Sequence, residues 1–323
     1  MSGFESAFHF DSLVWDWIIA VYLFLAGMSA GAVMIALYLK RRVIEGDPAN
    51  NGIIKAMAWL APFGIISGLT ILIFHLTKPL SFWKIMVFYN PTSVMSMGVI
   101  LFQVYMLVLF VWIGVIFRAP IMNWLDGKLP DGLLNFADNL LVKLKGSSDG
   151  IEIFLGFLAI ILAAYTGFLL SALKTYPMLN NPVLPILFLF SSISSGVAAC
   201  LMFGVLVFKE PTSSASVSWV HYIERPVVMF ELFVLVTFFT GLIFSGGQNE
   251  VAAWNAIGGG FWSNWFWFGV VLLGMVLPLV LNSVTSKQVR HRGGYIFVVT
   301  TLSLVGVLML RTFILYAGQM TVV

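Results

Sequence analysis

The sequence has 323 residues, of which 60% are hydrophobic and only 10% charged, against roughly 25% charged in an ordinary soluble domain. That composition excludes a soluble globular enzyme, and a formal net charge of only +3 gives no basic surface for nucleic acid. The single cysteine, Cys200, lies in an apolar run; it excludes an internal disulfide and a cysteine-ligated cluster and reads as a small packing residue.

The opening segment, Met1 to Trp17, carries Glu5, Asp11 and Asp16 and no Lys or Arg, so it does not read as a secretory signal. Long apolar stretches follow at about 14–38, 53–76, 93–117, 150–173, 183–208, 226–246, 262–284 and 294–317. Each is long enough to cross about 30 Å of hydrocarbon as a helix. The pattern predicts an all-α polytopic membrane protein: one transmembrane domain over residues 1–323, with eight transmembrane helices.

At the mouth of the first span stands Trp15-Asp16-Trp17. A carboxylate close to hydrocarbon is costly and marks a functional site by default; the plainer role for Asp16 is to cap the helix, together with Asp11. Deeper in the same span is Gly27-Met28-Ser29-Ala30-Gly31. The second span contains Pro62 near its start and ends at His75, before Lys78-Pro79. After the third span comes the longest loop, 118–149. There Leu129, Leu133, Leu134, Leu140, Leu141 and Leu144 form an approximate helical stripe, with Asp131 after Pro130 as a cap. A helix lying on the membrane surface is expected.

Tyr165-Thr166-Gly167 lies in the fourth span and Ser192-Ile193-Ser194-Ser195-Gly196 in the fifth. The fifth-span string has the same spacing of small residues as the first, a spacing that lets helix backbones approach closely. Tyr316-Ala317-Gly318 in the eighth span repeats the pattern of the fourth, so two four-helix bundles related by a parallel repeat are expected. The sixth span carries Glu231, with Glu224 below it. The eighth carries Arg311 about six residues from its end, where a charge is costly and reads as a site, as a partner for a carboxylate such as Asp16, or as a side chain that snorkels outward.

Loop charge sets direction. One side holds Lys40, Arg41, Arg42, Lys55, Arg118, Lys128, Lys143, Lys145, Lys209, Arg225, Lys287, Arg290 and Arg292, and the other only Lys78, Lys84 and Lys174. The bias of 13 to 3 makes the first side cytoplasmic and puts both termini in the periplasm, as for a protein of a bacterial inner membrane. None of the four histidines, His9, His75, His221 and His291, falls at mid-depth, so no haem is expected, and no iron–sulfur cluster. Redox work would then need a diffusible carrier and a partner's cofactors.

Near the outer face the sequence collects His9, Asp11, Asp16, His75, Lys78, Lys84 and Lys174, with Tyr165 and Arg311 a little deeper. A carboxylate or neutral imidazole can take a proton from a quinol, and Tyr, His or Lys can donate hydrogen bonds to a quinone oxygen. The expected roles are Asp16 as proton acceptor, His75 and Tyr165 at the quinone oxygens and Arg311 as electrostatic support, with Tyr22 and Lys78 as further contacts. A passive membrane anchor and a solute carrier are the rival readings; the carrier ranks low because mid-span charges are scarce.

Five strings carry a family resemblance: Ser12-Leu13-Val14-Trp15-Asp16-Trp17, Phe74-His75-Leu76-Thr77-Lys78-Pro79, Thr92-Ser93-Val94-Met95-Ser96-Met97-Gly98, Ala164 to Lys174, and Phe313-Ile314-Leu315-Tyr316-Ala317-Gly318-Gln319. With Ser6-Ala7-Phe8-His9-Phe10 at the start, the sequence resembles the NrfD/PsrC family of polysulfide reductase and nitrite-reduction membrane subunits nearly end to end. The resemblance implies a haem-free subunit that oxidises exchangeable menaquinone or ubiquinone, in its quinol form, near the periplasmic face. Electrons would pass to a periplasmic four-cluster iron–sulfur protein of the NrfC type and on to multihaem cytochromes that reduce nitrite to ammonia. Relatives of the polysulfide or tetrathionate type serve other acceptors. In the polysulfide reductase relative a fourth-span Tyr contacts the quinone, and Tyr165 matches it. Where that relative uses Asn and His on the first span, this protein has Ile19 and Tyr22, so those contacts do not carry over intact, and Asp16 is expected to take part of their role.

Overall fold

The computed structural model describes residues 7–76, 78–128 and 130–322; Glu5, Ser6, Thr77, Leu129 and the side chain of Lys287, which entered the sequence reading, lie outside the described set. Among the described residues there is no strand, and eight helices are long and apolar enough to cross a membrane. They are α1 (Trp17–Arg42), α2 (Gly52–His75), α3 (Val94–Ile116), α4 (Ser148–Ser171), α5 (Leu184–Leu206), α6 (Ala215–Ser245), α7 (Phe261–Val284) and α8 (Gly293–Gln319). The protein is a multi-pass membrane protein. The end where α1 begins and α8 finishes is called the termini face below; the opposite end, rich in Lys and Arg, is the basic face.

α1 and α5 lie at the centre. α1 packs on α2, α4, α5 and α8, and α5 packs on α1, α2, α4, α6 and α8. The two small-residue motifs are what allow this. A side chain on Gly31 would fall 1.9 Å from the Ser192 carbonyl oxygen, and one on Gly196 would fall 2.2 Å from the carbonyl carbon of Gly31. The motif in α1 and the motif in α5 therefore form one seam of backbone against backbone. α7 and α8 meet the same way, at Gly274 against Gly306.

Two helices depart from their predicted form. α6 begins at Ala215, not near residue 226, because Pro226 is carried inside the helix. Proline removes one intrahelical hydrogen bond, but a membrane helix with neighbours tolerates it. His221, Glu224 and Arg225 are thus helical residues and not loop residues. Pro62 is likewise carried within a continuous α2. In α7, residues Trp265–Val276 form wide π turns between two α-helical ends, a feature with no signature in the hydrophobic pattern.

Surface helices complete the fold. The expected amphipathic helix in the 118–149 loop runs Asp131–Lys145 and follows a shorter one, Arg118–Leu125. Its N-cap position is Pro130, which makes no capping bond, so Asp131 is the first helical residue and not the cap. Arg118 and Asp138 pair between the two helices with N–O distances of 2.6 and 2.7 Å. At the basic face Glu152 of α4 accepts from Lys40, from Arg41 at 2.9 Å, from Ser148 at 3.0 Å and from the Trp112 indole at 3.2 Å. One buried carboxylate so ties α1, α3 and α4 together.

Candidate quinol-reactive site at the termini face

Asp16 and His75 come together. Asp16 is the N-cap of α1, and its Oδ1 accepts from the Ile18 amide at 3.0 Å, which satisfies a free donor of the first turn. The same oxygen is 3.8 Å from Nε2 of His75, the last residue of α2. Both side chains are about one-third exposed, at 32% and 36%. Capping and chemistry are therefore compatible roles, since the cap uses one lone pair of a carboxylate that has several.

Asp16 is held from behind by the last turn of α8. The buried carboxamide of Gln319 accepts from the amides of Val14 and Trp15, each at 2.9 Å, and donates to the Trp15 carbonyl at 2.8 Å. The Ser12 hydroxyl donates to the Gln319 carbonyl at 2.7 Å, and the Trp17 amide donates to the Tyr316 hydroxyl at 2.8 Å. Tyr176 adds a bond to the Ser12 carbonyl at 2.8 Å. Trp262 stacks on Tyr316 and donates to the Ala7 carbonyl at 3.2 Å. Sequence reasoning gave these groups no role. The string ending in Gln319 was visible, but a carboxamide's reach across 304 positions to Trp15 was not.

Below the Asp16–His75 pair, α1, α3 and α4 contribute an aromatic group. The ring centroids of Tyr22 and Phe102 are 6.0 Å apart, and those of Phe102 and Tyr165 are 6.1 Å apart and edge-on. Tyr22 sits six residues, or about 9 Å, further along α1 than Asp16. The Tyr165 hydroxyl donates to the Val94 carbonyl at 3.1 Å, at the first turn of α3. It fits only because residue 98 is glycine: a side chain there would fall 1.8 Å from the Tyr165 oxygen.

Arg311 is completely buried and is not the partner of Asp16. Its guanidinium donates to the Thr166 hydroxyl at 3.2 Å, and to the Phe188 carbonyl and Ser192 hydroxyl at 3.0 Å each, and lies over the Phe188 ring. Arg311 therefore touches Thr166, the residue next to Tyr165. Lys78 precedes the short turn Pro79–Ser81 and is exposed, without a cap bond. His9 and Asp11 are also exposed. Grooves of about 290–480 Å³ lie toward the basic face, for example between α2 and α3 at Lys55, Trp59, Phe63 and Phe110. The Asp16–His75 pair lies by contrast at the termini face, with both side chains partly exposed. Among the described residues no group of three or more His, Cys, Asp or Glu is placed to hold a metal ion.

Residues 5–323 match the family described as "Polysulphide reductase, NrfD". The chain belongs to the NrfD family. It is 48% identical to Protein NrfD of Escherichia coli over 319 residues, 98% of each protein. It is 45% identical to the Protein NrfD homolog of Haemophilus influenzae, covering 98% of this protein and 97% of that one. It is also 40% identical to the C subunit of the polysulfide reductase of Wolinella succinogenes, covering 96% of both. As an NrfD-family protein it is a membrane subunit of an oxidoreductase complex.

Proposed function

We propose that this NrfD-family subunit oxidises menaquinol or ubiquinol at the termini face and passes the electrons to a periplasmic iron–sulfur protein of the NrfC type. Multihaem cytochromes that reduce nitrite to ammonia are the proposed end of the route. The observation that carries this reading is the Asp16–His75 pair, 3.8 Å apart and partly exposed at the termini face. A quinol has two protons to lose with its two electrons, and a carboxylate beside an imidazole offers two acceptors. The quinone headgroup would sit between that pair and the Tyr22–Phe102–Tyr165 aromatic group, with its isoprenoid tail in the bilayer. An apolar site with a few convergent polar groups suits such a ligand. Lys78, exposed beside His75, is assigned to the headgroup or to the partner's surface.

The excess of Lys and Arg on the basic face supports a periplasmic termini face. Quinol protons released there leave on the same side as the electrons, so the step by itself separates no charge.

The test is cluster reduction in membranes that contain this protein and its iron–sulfur partner, after addition of a menaquinol analogue. Asp16→Asn keeps the cap's size and its acceptor oxygen but cannot take a proton. Cluster reduction is expected to fall by roughly 100-fold, the usual contribution of a positioned general base, with both proteins still assembled. Full reduction in the variant removes Asp16 from the chemistry. An assembled wild-type complex that never reduces its clusters, with an analogue that a relative accepts, leaves only the passive anchor.

A further inference from the structure

α2 and α3 follow one another in the chain but lean on different neighbours: α2 packs chiefly on α1 and α5, and α3 on α4. A groove of about 430 Å³ is left between them. Lys55 stands at its basic-face end, and its walls include Trp59, Phe63 and Ile66 of α2 with Phe110 of α3 and Phe117 at the end of α3. Trp59, Phe63, Ile66 and Phe110 are exposed. On helices that cross a membrane, exposed apolar side chains meet lipid and not water.

Lys55 is the one charged residue that lines this groove. It is partly buried and lies at the first turn of α2. Lys40 and Arg118, the partly buried cations at the basic-face ends of α1 and α3, each hold a carboxylate, Glu152 and Asp138. Among the described residues the Lys55 ammonium has no hydrogen-bond or ion-pair partner. A charge partly withdrawn from water needs a counter-charge, and here the protein supplies none. Snorkelling into water would satisfy the ammonium but would not fill the groove beneath it.

Polarity changes once along the groove. Ile66 lies about 16 Å further along α2 than Lys55, roughly half of the hydrocarbon thickness. The groove therefore runs from the membrane surface to near the midplane. Its cation is at the surface end. Trp59 comes one turn below, where an indole suits the headgroup level, and the rest is apolar. A phospholipid has the same order: an anionic phosphate, then the acyl chains of one leaflet. Basic pockets between membrane helices are where anionic headgroups bind. We infer that the α2–α3 groove seats one anionic phospholipid, with its phosphate on Lys55 and an acyl chain along Trp59, Phe63 and Ile66. The lipid fills the gap between α2 and α3 and braces the two helices. This seat is at the opposite end of α2 from His75 and does not depend on the quinol reading.

The experiment uses the full-length protein in detergent, stripped of lipid and then given phosphatidylglycerol or phosphatidylcholine with the same acyl chains. Native mass spectrometry counts the lipid retained, and thermal unfolding reports the bracing. Phosphatidylglycerol is expected to be retained about 5-fold more tightly than phosphatidylcholine, the preference that a single lysine beside an anionic headgroup gives. It should also raise the unfolding temperature. Lys55→Gln should lose the preference and the rise, and Lys55→Arg should keep both, which also shows that the loss is not misfolding. Ala58→Leu, which narrows the groove, should weaken retention of both lipids. Equal retention of the two lipids by the wild type, a preference that survives in Lys55→Gln, or glycerol phosphate bound as tightly as the whole lipid overturns the seat. A dimer that retains no lipid also overturns it, because a second copy then fills the groove.

Discussion

Gln319 and Trp15 hold one another in both directions: the Trp15 amide donates to Gln319 Oε1 at 2.9 Å, and Gln319 Nε2 donates back to the Trp15 carbonyl at 2.8 Å. A side-chain amide that satisfies both backbone groups of one residue fixes that residue's peptide planes. Asp16 is the next residue, so the aim of its carboxylate is set by the last turn of α8.

Gln319→Leu keeps the volume and removes this clamp. The amides of Val14 and Trp15 lose their acceptor, at about 1–3 kcal/mol for each that stays buried and unpaired. The expected outcome is fast hydrogen exchange at Val14 and Trp15 and a lower quinol oxidation rate, with α1–α8 intact by circular dichroism. Slow exchange at those amides would show that Tyr316 and Ser12 hold the segment without the carboxamide.

Gly98→Ala places a methyl group where the Tyr165 hydroxyl lies, with 1.8 Å to its oxygen. Overpacking of this kind costs about 1–3 kcal/mol, and the ring must move away from the Val94 carbonyl. Quinol oxidation is expected to fall. In a Tyr165→Ala background the same change should cost little stability, because the overlap is gone. Equal costs in both backgrounds would mean that the two residues are uncoupled.

Glu152 is the acceptor for Lys40, Arg41, Ser148 and Trp112 at once. Glu152→Ala takes the shared acceptor from Lys40 and from the buried Trp112 indole, while the partly exposed Arg41 keeps the Asp149 carbonyl at 2.8 Å; a buried donor left unpaired costs about 1–3 kcal/mol. Thermal unfolding in detergent should shift down strongly while quinol binding at the other face changes little in the protein that remains folded. An unchanged transition would mean that water replaces the carboxylate.

The Asp138 carboxyl is held below its ordinary range by the hydrogen bond from Arg118, which outweighs the opposing effect of desolvation. A carboxyl whose folded pKa is lowered contributes its stabilisation in full above the unfolded value, about 3.9, and loses it as pH falls through the lowered one. The Asp131–Lys145 helix should therefore stay docked to Arg118 from neutral pH to about pH 4 and loosen only in stronger acid. In Asp138→Asn it should be loose at every pH. Spin labels on the two surface helices report the distance; undocking of the wild type near pH 6 would assign the contact to another group.

The eight spans were legible because lipid demands long apolar runs, and that demand writes itself into composition. Asp16 and His75 were legible for the same reason, as polar residues at the edge of hydrocarbon. The extension of α6 below Pro226 was hidden because proline reads as a boundary in isolation, whereas packed neighbours carry it within the helix. Arg311 looked like a partner for Asp16 because depth alone suggested it, but its direction around α8 turns it toward Thr166, Ser192 and the Phe188 carbonyl. Gln319 and Glu152 were hidden because their importance lies in several partners from distant segments converging on one side chain.

The Gln319 clamp also has a consequence in time. The ribosome makes Trp15 and Asp16 some 304 residues before Gln319, and the seam that seats α1 closes only once Ser192 and Gly196 have followed. While seven helices are being made, the nascent protein therefore carries the Asp16 carboxylate without the scaffold that aims it. A polypeptide that stops short of the last turn of α8 enters the bilayer with that carboxylate unaimed, so the arrival of the eighth helix completes the first.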